Sequence, residues 1–425
     1  MILSPSRGET CDHCLAVTVS IQDAEPWCPH CEWNLDRYEP ARRPPEFGWR
    51  WIDRRTHRLA YRLTRDQFDA LVADGIDRRG PALARVVTIG ASLLLLVGVV
   101  LVAAFGVWLV VHDFPSLTIP FGLAALGLAV VLRPRFGRLD ESAYVLDRDQ
   151  TPSLFDLVDE VARAIGAPAP DVVAVNDDFN AYATSIGLRR ARVLCIGLPL
   201  WGALPAQERV ALLGHELAHF VNGDVRRLLL TQPAFTMLGT AADLVRPVST
   251  FALPQSALMG WAGELLAEIV QRVLARLLFT VHVVLVAVGL RDAQRAEYLA
   301  DELAAEAAGS AAAVNLLDTL LIGETMEMVV RRDARAGHGP DQWRRSSEQA
   351  RTSAGPILPA LRQLSLRDQA SLFATHPPPG LRARMIQERT AQGPAVALDQ
   401  ARLERIDSEL ARHYDRTVRN ISWGG

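Results

Sequence analysis

Two uncharged runs dominate the hydropathy pattern. Residues 86–111 carry no charged side chain and neither do residues 114–132, with His112-Asp113 between them. Each is close to or above the roughly 20 residues that a helix needs to cross about 30 Å of hydrocarbon. Buried core helices share this pattern, but two runs joined by so short a loop predict a membrane hairpin. Two further apolar stretches are shorter: residues 228–245, apart from Asp243, and residues 277–290, broken by His282, with Arg272 and Arg276 just before the second. They read as a second hairpin within residues 228–290, with soluble core helices as the alternative. In a hairpin, His282 would face protein rather than lipid.

The remaining pattern is that of a folded domain. Residues 154–165 have helical periodicity and are closed by Pro168 and Pro170. Residues 171–175 and 192–196 read as strands, separated by a stretch, residues 176–184, that is polar and then small. A short sheet packed against a neighbouring helix would offer an extended peptide an edge to pair with. A helix is predicted between Pro205, suited to a first helical turn, and Gly223, suited to the residue just past the last. Residues 331–355 are rich in arginine, glycine and serine and read as a mobile insertion, whereas residues 397–414 have helical character. Nothing repeats internally.

Composition refines this picture. The 425 residues leave room for more than one domain. The 49% hydrophobic content and mean hydropathy of +0.11 are raised by the concentrated runs, not by an even enrichment. A net charge of −3 gives no general affinity for nucleic acid. Between residues 37 and 85 arginines are interleaved with Phe47, Trp49, Trp51 and Tyr61, but Asp53, Asp66, Asp69, Asp74 and Asp77 dilute the charge. That favours a solvated juxtamembrane region against anionic lipid over a nucleic-acid surface. The chain contains no lysine, a bias that points to a GC-rich bacterial source. Residues 1–10, short and largely polar, do not read as a secretory signal, so none is expected. Arginine flanks the first hairpin on both outer sides (Arg78, Arg79, Arg85; Arg133, Arg135, Arg138) and is absent from its loop. The positive-inside rule therefore places both flanks in the cytoplasm.

Two constellations carry chemistry. Gly214-His215-Glu216-Leu217-Ala218-His219 reads H-E-x-x-H within an apolar helix. His215 and His219 share one face and can hold one zinc ion, with Glu216 beside them as a proton acceptor. The bland alternative is a helix with two satisfied histidines. A catalytic zinc commonly takes a third protein ligand. Glu297 in Glu297-Tyr298-Leu299-Ala300-Asp301 is the best supplier, with Asp301 one turn on, placed to orient a ligand histidine. Cys11-Asp12-His13-Cys14 and Cys28-Pro29-His30-Cys31 form two C-x2-C knuckles, close to the spacing of a structural zinc ribbon. Two disulfides are the rival pairing, which a cytoplasmic location disfavours. His13 and His30 read as knuckle residues, and Cys195, alone in an apolar strand, as core.

These motifs together resemble the HtpX-like membrane zinc metallopeptidases, relatives of the CAAX prenyl proteases. The matching residues are Gly214-His215-Glu216-Leu217-Ala218-His219 with Asn222-Gly223-Asp224, then Glu297-x-x-Ala300-Asp301, then His376-Pro377-Pro378. The resemblance covers roughly residues 86–384. It implies that His215, His219 and Glu297 bind a catalytic zinc, that Glu216 is the catalytic base, and that Asn180 and His376 contact substrate or oxyanion. Arg382, Asp301 and Asp224 would support the ligands. Three departures stand out: the added ribbon, Gln294 with Arg295 beside it where relatives often carry arginine, and the arginine-rich insertion before His376.

The expected fold is a mainly α membrane protein with a gluzincin-like α+β catalytic domain and a small sheet. Its parts are a zinc ribbon (1–40), a basic juxtamembrane region (41–85), a transmembrane hairpin (86–132), the peptidase domain (133–395) and a C-terminal helix (396–425). The expected function is that of a zinc endopeptidase acting on membrane or misfolded proteins at the cytoplasmic face of the bacterial inner membrane. Two zinc ions, polypeptide substrates and the lipid bilayer are its expected partners, nucleic acid is not, and homo-oligomers are compatible. The alternative is a membrane-tethered zinc-ribbon adaptor that uses a peptidase fold for binding.

Overall fold

A computed structural model describes residues 6–43, 46, 49–76, 82–112, 117–133, 139–187, 190–222 and 258–423. The chain divides into two compact units. One comprises Met1–Arg78, Gly137–Val225 and Ala293–Gly425; the other comprises Arg79–Phe136 and Arg226–Asp292.

The smaller unit holds the apolar helices. Helix α2 runs over Ala82–Val111 and α3 over Ile119–Leu132. They fold back on each other at two glycines. A Cβ on Gly122 would lie 2.8 Å from the carbonyl oxygen of Gly106, so only small residues permit this approach. Thr118 Oγ1 donates to the Leu109 carbonyl at 2.9 Å and closes the turn. Ile89–Val111 is long and apolar enough to span a bilayer. Its Leu94, Leu101 and Phe105 are 75%, 63% and 55% exposed, so protein does not cover them. The second arm is shorter than the sequence suggests. With Pro120 in its first turn, α3 has 14 helical residues, about 21 Å, less than a hydrocarbon core.

Of the second expected hairpin only one arm is described. Its first arm, residues 228–245, lies outside the described residues. Its second arm is part of α7, a single 51-residue helix over Leu258–Ala308 that continues past the apolar stretch to carry Glu297 and Asp301. Among the described residues, Ile269–Ala308 is the other segment long and apolar enough to cross a membrane. The polar stretch after Leu290 does not break the helix, because Ala, Glu, Arg and Leu there are all good helix formers.

The larger unit is an α+β body, which also holds strands β1 (Ser6–Thr10) and β2 (Val17–Ser20) and helices α4 (Pro152–Ala164), α5 (Leu198–Ala203) and α8 (Ser310–Leu321). Its sheet has the order β3-β4-β6-β5, formed by Tyr144–Val145, Val172–Asn176, Ala191–Gly197 and Ala181–Ile186 respectively. Strands β4 and β6 are parallel, with Val172 opposite Val193 and Val175 opposite Ile196. Their inward residues Val173, Val175, Leu194 and Ile196 are 0–1% exposed. Strand β5, in the stretch read only as polar and then small, is antiparallel to β6 and forms the sheet edge. Gly197 is obligatory here: a Cβ would lie 2.0 Å from the Asp178 carbonyl oxygen and 2.3 Å from that of Asn180.

Residues 331–355 are not a mobile insertion. They fall on α9 (Gly323–Arg335) and α10 (Pro340–Ala354). Trp343 is fully buried and packs against Gly202 and edge-on to Tyr414. Many of the arginines are structural: Arg344 pairs with Asp407 at 2.7 Å and Arg351 with buried Glu208 at 2.5 Å. The C-terminal segment forms two helices, α13 (Gln400–Glu409) and α14 (Ala411–Trp423), the first capped by the Asp399 carboxylate.

The N-terminal knuckles belong to this same unit. Leu15 and Glu32, each one residue past the second cysteine of its pair, adopt left-handed φ of 63° and 57°. Their N–H groups donate to the carbonyls of Cys11 and Cys28 at 2.9 and 3.0 Å, so both knuckles make the same turn. The ribbon docks on α11 (Leu358–Gln369). Trp27 Nε1 donates to Gln363 Oε1 at 2.9 Å, and Arg367 lies over the Trp27 ring at 5.0 Å. Arg367, 1% exposed, also pairs with Glu39 and donates to the carbonyls of Glu25 and Asn34 at 2.8 and 2.9 Å. Helix α1 (Arg50–Asp74) follows and buries His57, Ala60, Phe68 and Leu71.

Candidate metal centres

The H-E-x-x-H motif lies on α6 (Ala206–Asn222), whose Val210, Ala211, Leu213, Leu217 and Ala218 are all 0% exposed. This apolar face fixes the helix in the core and orients His215 and His219. Glycine sets the distance to the partner helix. A Cβ on Gly214 would approach Ala304 Cα at 3.0 Å and Ala307 Cβ at 3.1 Å, both on α7. The two helices therefore pass close enough for a glutamate side chain to meet both imidazoles.

Glu297 does so. The ligand atoms of His215, His219 and Glu297 all lie within 4.8 Å of one another. His215 Nε2 is 3.6 Å from Glu297 Oε2, and His219 Nε2 is 3.7 Å from Oε1. These separations are too long for direct hydrogen bonds and suit donors grouped around one ion. His376 Nδ1 approaches Glu297 Oε2 at 2.7 Å. Even so, this buried oxygen has no aligned hydrogen-bond donor, as expected for a group meant to face a cation. Two imidazole nitrogens and a carboxylate are the donor set of a catalytic zinc site.

Around this cluster the supports are charged and buried. Asp301, one turn beyond Glu297 on α7, holds His215 Nδ1 at 3.1 Å. That fixes the ring and leaves Nε2 facing Glu297. Arg382, on α12 (Pro379–Glu388), grips Asp301 with both arms of its fork, at 2.8 and 2.7 Å. Its Nη2 is 3.3 and 3.4 Å from the two ring nitrogens of His215, near-equal distances that place it over the ring rather than along a lone pair. Glu216 is buried, and burial together with the charge of Glu297 outweighs the two histidines and pushes its carboxyl above the usual range. A carboxylate so raised is a better proton acceptor.

His376 stands at the rim with its side chain 60% exposed. The backbone before it is tied down by Gln294, whose Nε2 donates to the Ala374 carbonyl at 2.9 Å. The residue that departs from the resembling family thus has a role here that its identity alone did not suggest. Asn180 immediately precedes β5, and its carbonyl accepts from Gly197 N–H at 2.8 Å. Helix α6 packs against β5 and β6. Asp224 lies outside the described residues. Sequence reading missed Gly214 as the contact that sets the helix spacing, because that requirement comes from a neighbour ninety residues away.

The four ribbon cysteines form the second cluster, with sulfurs within 4.8 Å of one another. Cys11 and Cys31 are 3.7 Å apart, Cys14 and Cys28 3.4 Å, and all are free thiols. A tetrahedral ion with bonds of about 2.3 Å puts its sulfurs about 3.8 Å apart, whereas a disulfide bond is about 2.0 Å. The set fits zinc and not two disulfides. Burial pushes the Cys28 thiol up, but the N–H groups of Cys31 and His30 outweigh it and bring it down to about 6, whereas burial and hydrogen bonds to the neighbouring sulfurs hold Cys14 and Cys31 up.

Comparison with known proteins gives a consistent result. The family model described as peptidase family M48 matches residues 148–390, more than half of the chain. A protein named Protease HtpX homolog from Acidiphilium cryptum is 27% identical over 301 residues, 69% of this chain and 90% of that protein. Its namesake from Syntrophobacter fumaroxidans is 28% identical over 250 residues, covering 58% and 79%. Another from Gemmatimonas aurantiaca is 33% identical over 105 residues, covering 24% and 36%. Several curated relatives are thus matched over only about a third to two-fifths of their length. No solved structure matches the chain. The family match begins after the ribbon and the first apolar helices, which it leaves unassigned.

Proposed function

The chain belongs to peptidase family M48, as an HtpX-like membrane metallopeptidase, and on that footing we propose that it is a zinc-dependent endopeptidase. It hydrolyses peptide bonds of membrane or misfolded proteins at the cytoplasmic face of a bacterial inner membrane, in protein quality control. The observation that carries this is the meeting of His215, His219 and Glu297 beside a buried Glu216.

His215, His219 and Glu297 would hold the catalytic zinc, and Cys11, Cys14, Cys28 and Cys31 a structural one. When bound, the catalytic ion supplies a Lewis acid that polarises the scissile carbonyl and acidifies a water. Glu216 accepts the proton of the attacking water and returns it to the departing amine. Asp301 keeps His215 in one tautomer and orientation, and Arg382 balances the charge of Asp301 in the buried site. His376, at the exposed rim, is placed to donate to the carbonyl oxygen as negative charge develops there. Strand β5, the last strand of the sheet and packed on α6, is placed to support an extended substrate by backbone pairing, with Asn180 at its entry.

The cytoplasmic orientation rests on the arginine bias of the first hairpin. It makes cytoplasmic segments of membrane proteins the natural substrates. The adaptor reading is weakened because the ribbon packs against α11 through Trp27 and buried Arg367, not as a free module. The test is a Glu216→Gln chain used as a substrate trap in cells. It should retain zinc and enrich membrane proteins with cytoplasmic segments. Enrichment of only soluble exported proteins would overturn the substrate and topology assignment.

A further inference from the structure

Helix α1 has a face that neither the ribbon nor the peptidase site uses. Its buried side carries Asp53, His57, Ala60, Thr64, Phe68 and Leu71. The opposite side of its first three turns carries Arg50, Trp51, Arg54, Arg55, Arg58, Leu59 and Arg62, all exposed. Trp49, just before the helix, and Trp51 are 55% and 59% exposed and stack on each other with ring centroids 6.5 Å apart. The only acid in that part of the helix, Asp53, faces inward, and the first exposed acid is Asp66.

This charge order works against the helix itself. The N-terminal end of a helix carries partial positive charge and favours carboxylates, and the C-terminal end favours cations. Here five arginines crowd the first half while Asp66, Asp69 and Asp74 occupy the second. Among the described residues, none of the five forms a salt bridge, and Arg55 is engaged only over the Trp51 ring, at 5.5 Å. Two exposed indoles likewise gain nothing from water. The arrangement is locally unfavourable on both counts, and an external anionic surface with an apolar layer beneath would relieve both.

We propose that this face of α1, with Trp49, Trp51 and Leu59 among the five arginines, seats on the anionic headgroups of the bilayer. Such a bilayer is within reach, because the membrane-spanning stretch Ile89–Val111 begins fifteen residues after α1 ends at Asp74. The seven residues 75–81 can extend up to about 25 Å and the seven helical residues 82–88 of α2 add about 10 Å, so the spanning stretch starts within about 35 Å of the end of α1. Guanidinium groups pair with phosphate oxygens in a two-pronged geometry. Tryptophan favours the headgroup level, where one part of its ring is apolar and its N–H stays wet. The proposal rests on membrane insertion of the chain and not on peptide hydrolysis.

The test uses the full-length protein in nanodiscs of brominated phosphatidylcholine, with or without phosphatidylglycerol. The emission due to Trp49 and Trp51 is read as the difference between the native chain and a Trp49→Phe, Trp51→Phe variant. With phosphatidylglycerol present, that emission should be quenched by the bromines. High salt should remove the quenching, since screening shortens the reach of charge. Replacing Arg50, Arg54, Arg55, Arg58 and Arg62 by Gln should also remove it, with the zinc content of both sites unchanged as the check on folding. Emission that stays unquenched with phosphatidylglycerol present overturns the proposal. So does emission that changes only when RNA is added or when more chains are loaded per disc, which would assign the face to nucleic acid or to a second copy.

Discussion

Replacing Arg367 by Ala should release the N-terminal ribbon from the peptidase body. Arg367 is 1% exposed and is held by Glu39, by two backbone carbonyls and by the Trp27 ring. Its loss leaves the Glu39 carboxylate, 7% exposed, with the Glu25 N–H at 2.8 Å and Arg42 only at 4.0 Å. Removing one partner of a buried pair costs about 3–5 kcal/mol. At 1.4 kcal/mol per tenfold, the released ribbon becomes roughly 10²–10⁴ times more populated. The assay is alkylation of Cys11 and Cys28, both buried, together with transfer of ribbon zinc to a chromogenic chelator. Both rates should rise by that factor, and Trp27 emission should shift red as its ring becomes wet. Arg367→Lys should fall between, because an ammonium keeps the charge but cannot span the same set of acceptors. Wild-type rates of alkylation and zinc transfer in Arg367→Ala would refute the buried-pair reasoning.

Three further outcomes follow from the geometry. Glu297→Ala should lose the catalytic zinc while keeping the ribbon zinc, whereas Asp301→Asn should keep both and lose affinity or activity by about 10–100-fold; metal analysis paired with peptide cleavage separates them. Gly214→Val should force α6 and α7 apart, costing about 1–3 kcal/mol and weakening zinc retention in equilibrium dialysis, while the same change at Gly323, whose surroundings are open and whose φ is not left-handed, should leave zinc retention untouched. Burial and the neighbouring Arg43 lower the His57 imidazole from 6.5 to about 4, so the folded chain prefers it neutral. The stability this gives is complete above pH 6.5 and is lost as pH falls toward 4, by at most about 3 kcal/mol. Urea midpoints measured across that window should show a shallower acid slope in His57→Phe than in the native chain.

What the sequence made legible was whatever depends on local spacing. The i, i+4 histidines, the paired C-x2-C knuckles and the two core strands each announce themselves within a few residues, and the structure brings the three expected metal ligands together. Features set by distant neighbours were hidden. The arginines of residues 331–355 suggested a mobile insertion, but Arg344 pairs with half-buried Asp407 and Arg351 with buried Glu208, and Trp343 anchors the segment in the core. The apolar stretch ending near Leu290 looked like a complete element because hydropathy changes there, while the backbone continues as one helix to Ala308. Nor could spacing show that Gly214 must lack a side chain or that the ribbon is clasped by Arg367.

The central claim is that the His215–His219–Glu297 cluster, with Glu216 as base, cleaves peptide bonds. The most direct measurement is cleavage of a casein-type substrate by the purified full-length chain and its Glu216→Gln variant, with zinc counted in both. The account predicts two zinc ions in each, cleavage by the native chain, and a loss of about 10²–10⁴-fold or more in the variant, whose amide cannot take a proton. A variant that cleaves at the native rate, or a native chain that holds both zinc ions and leaves the substrate intact, would contradict it.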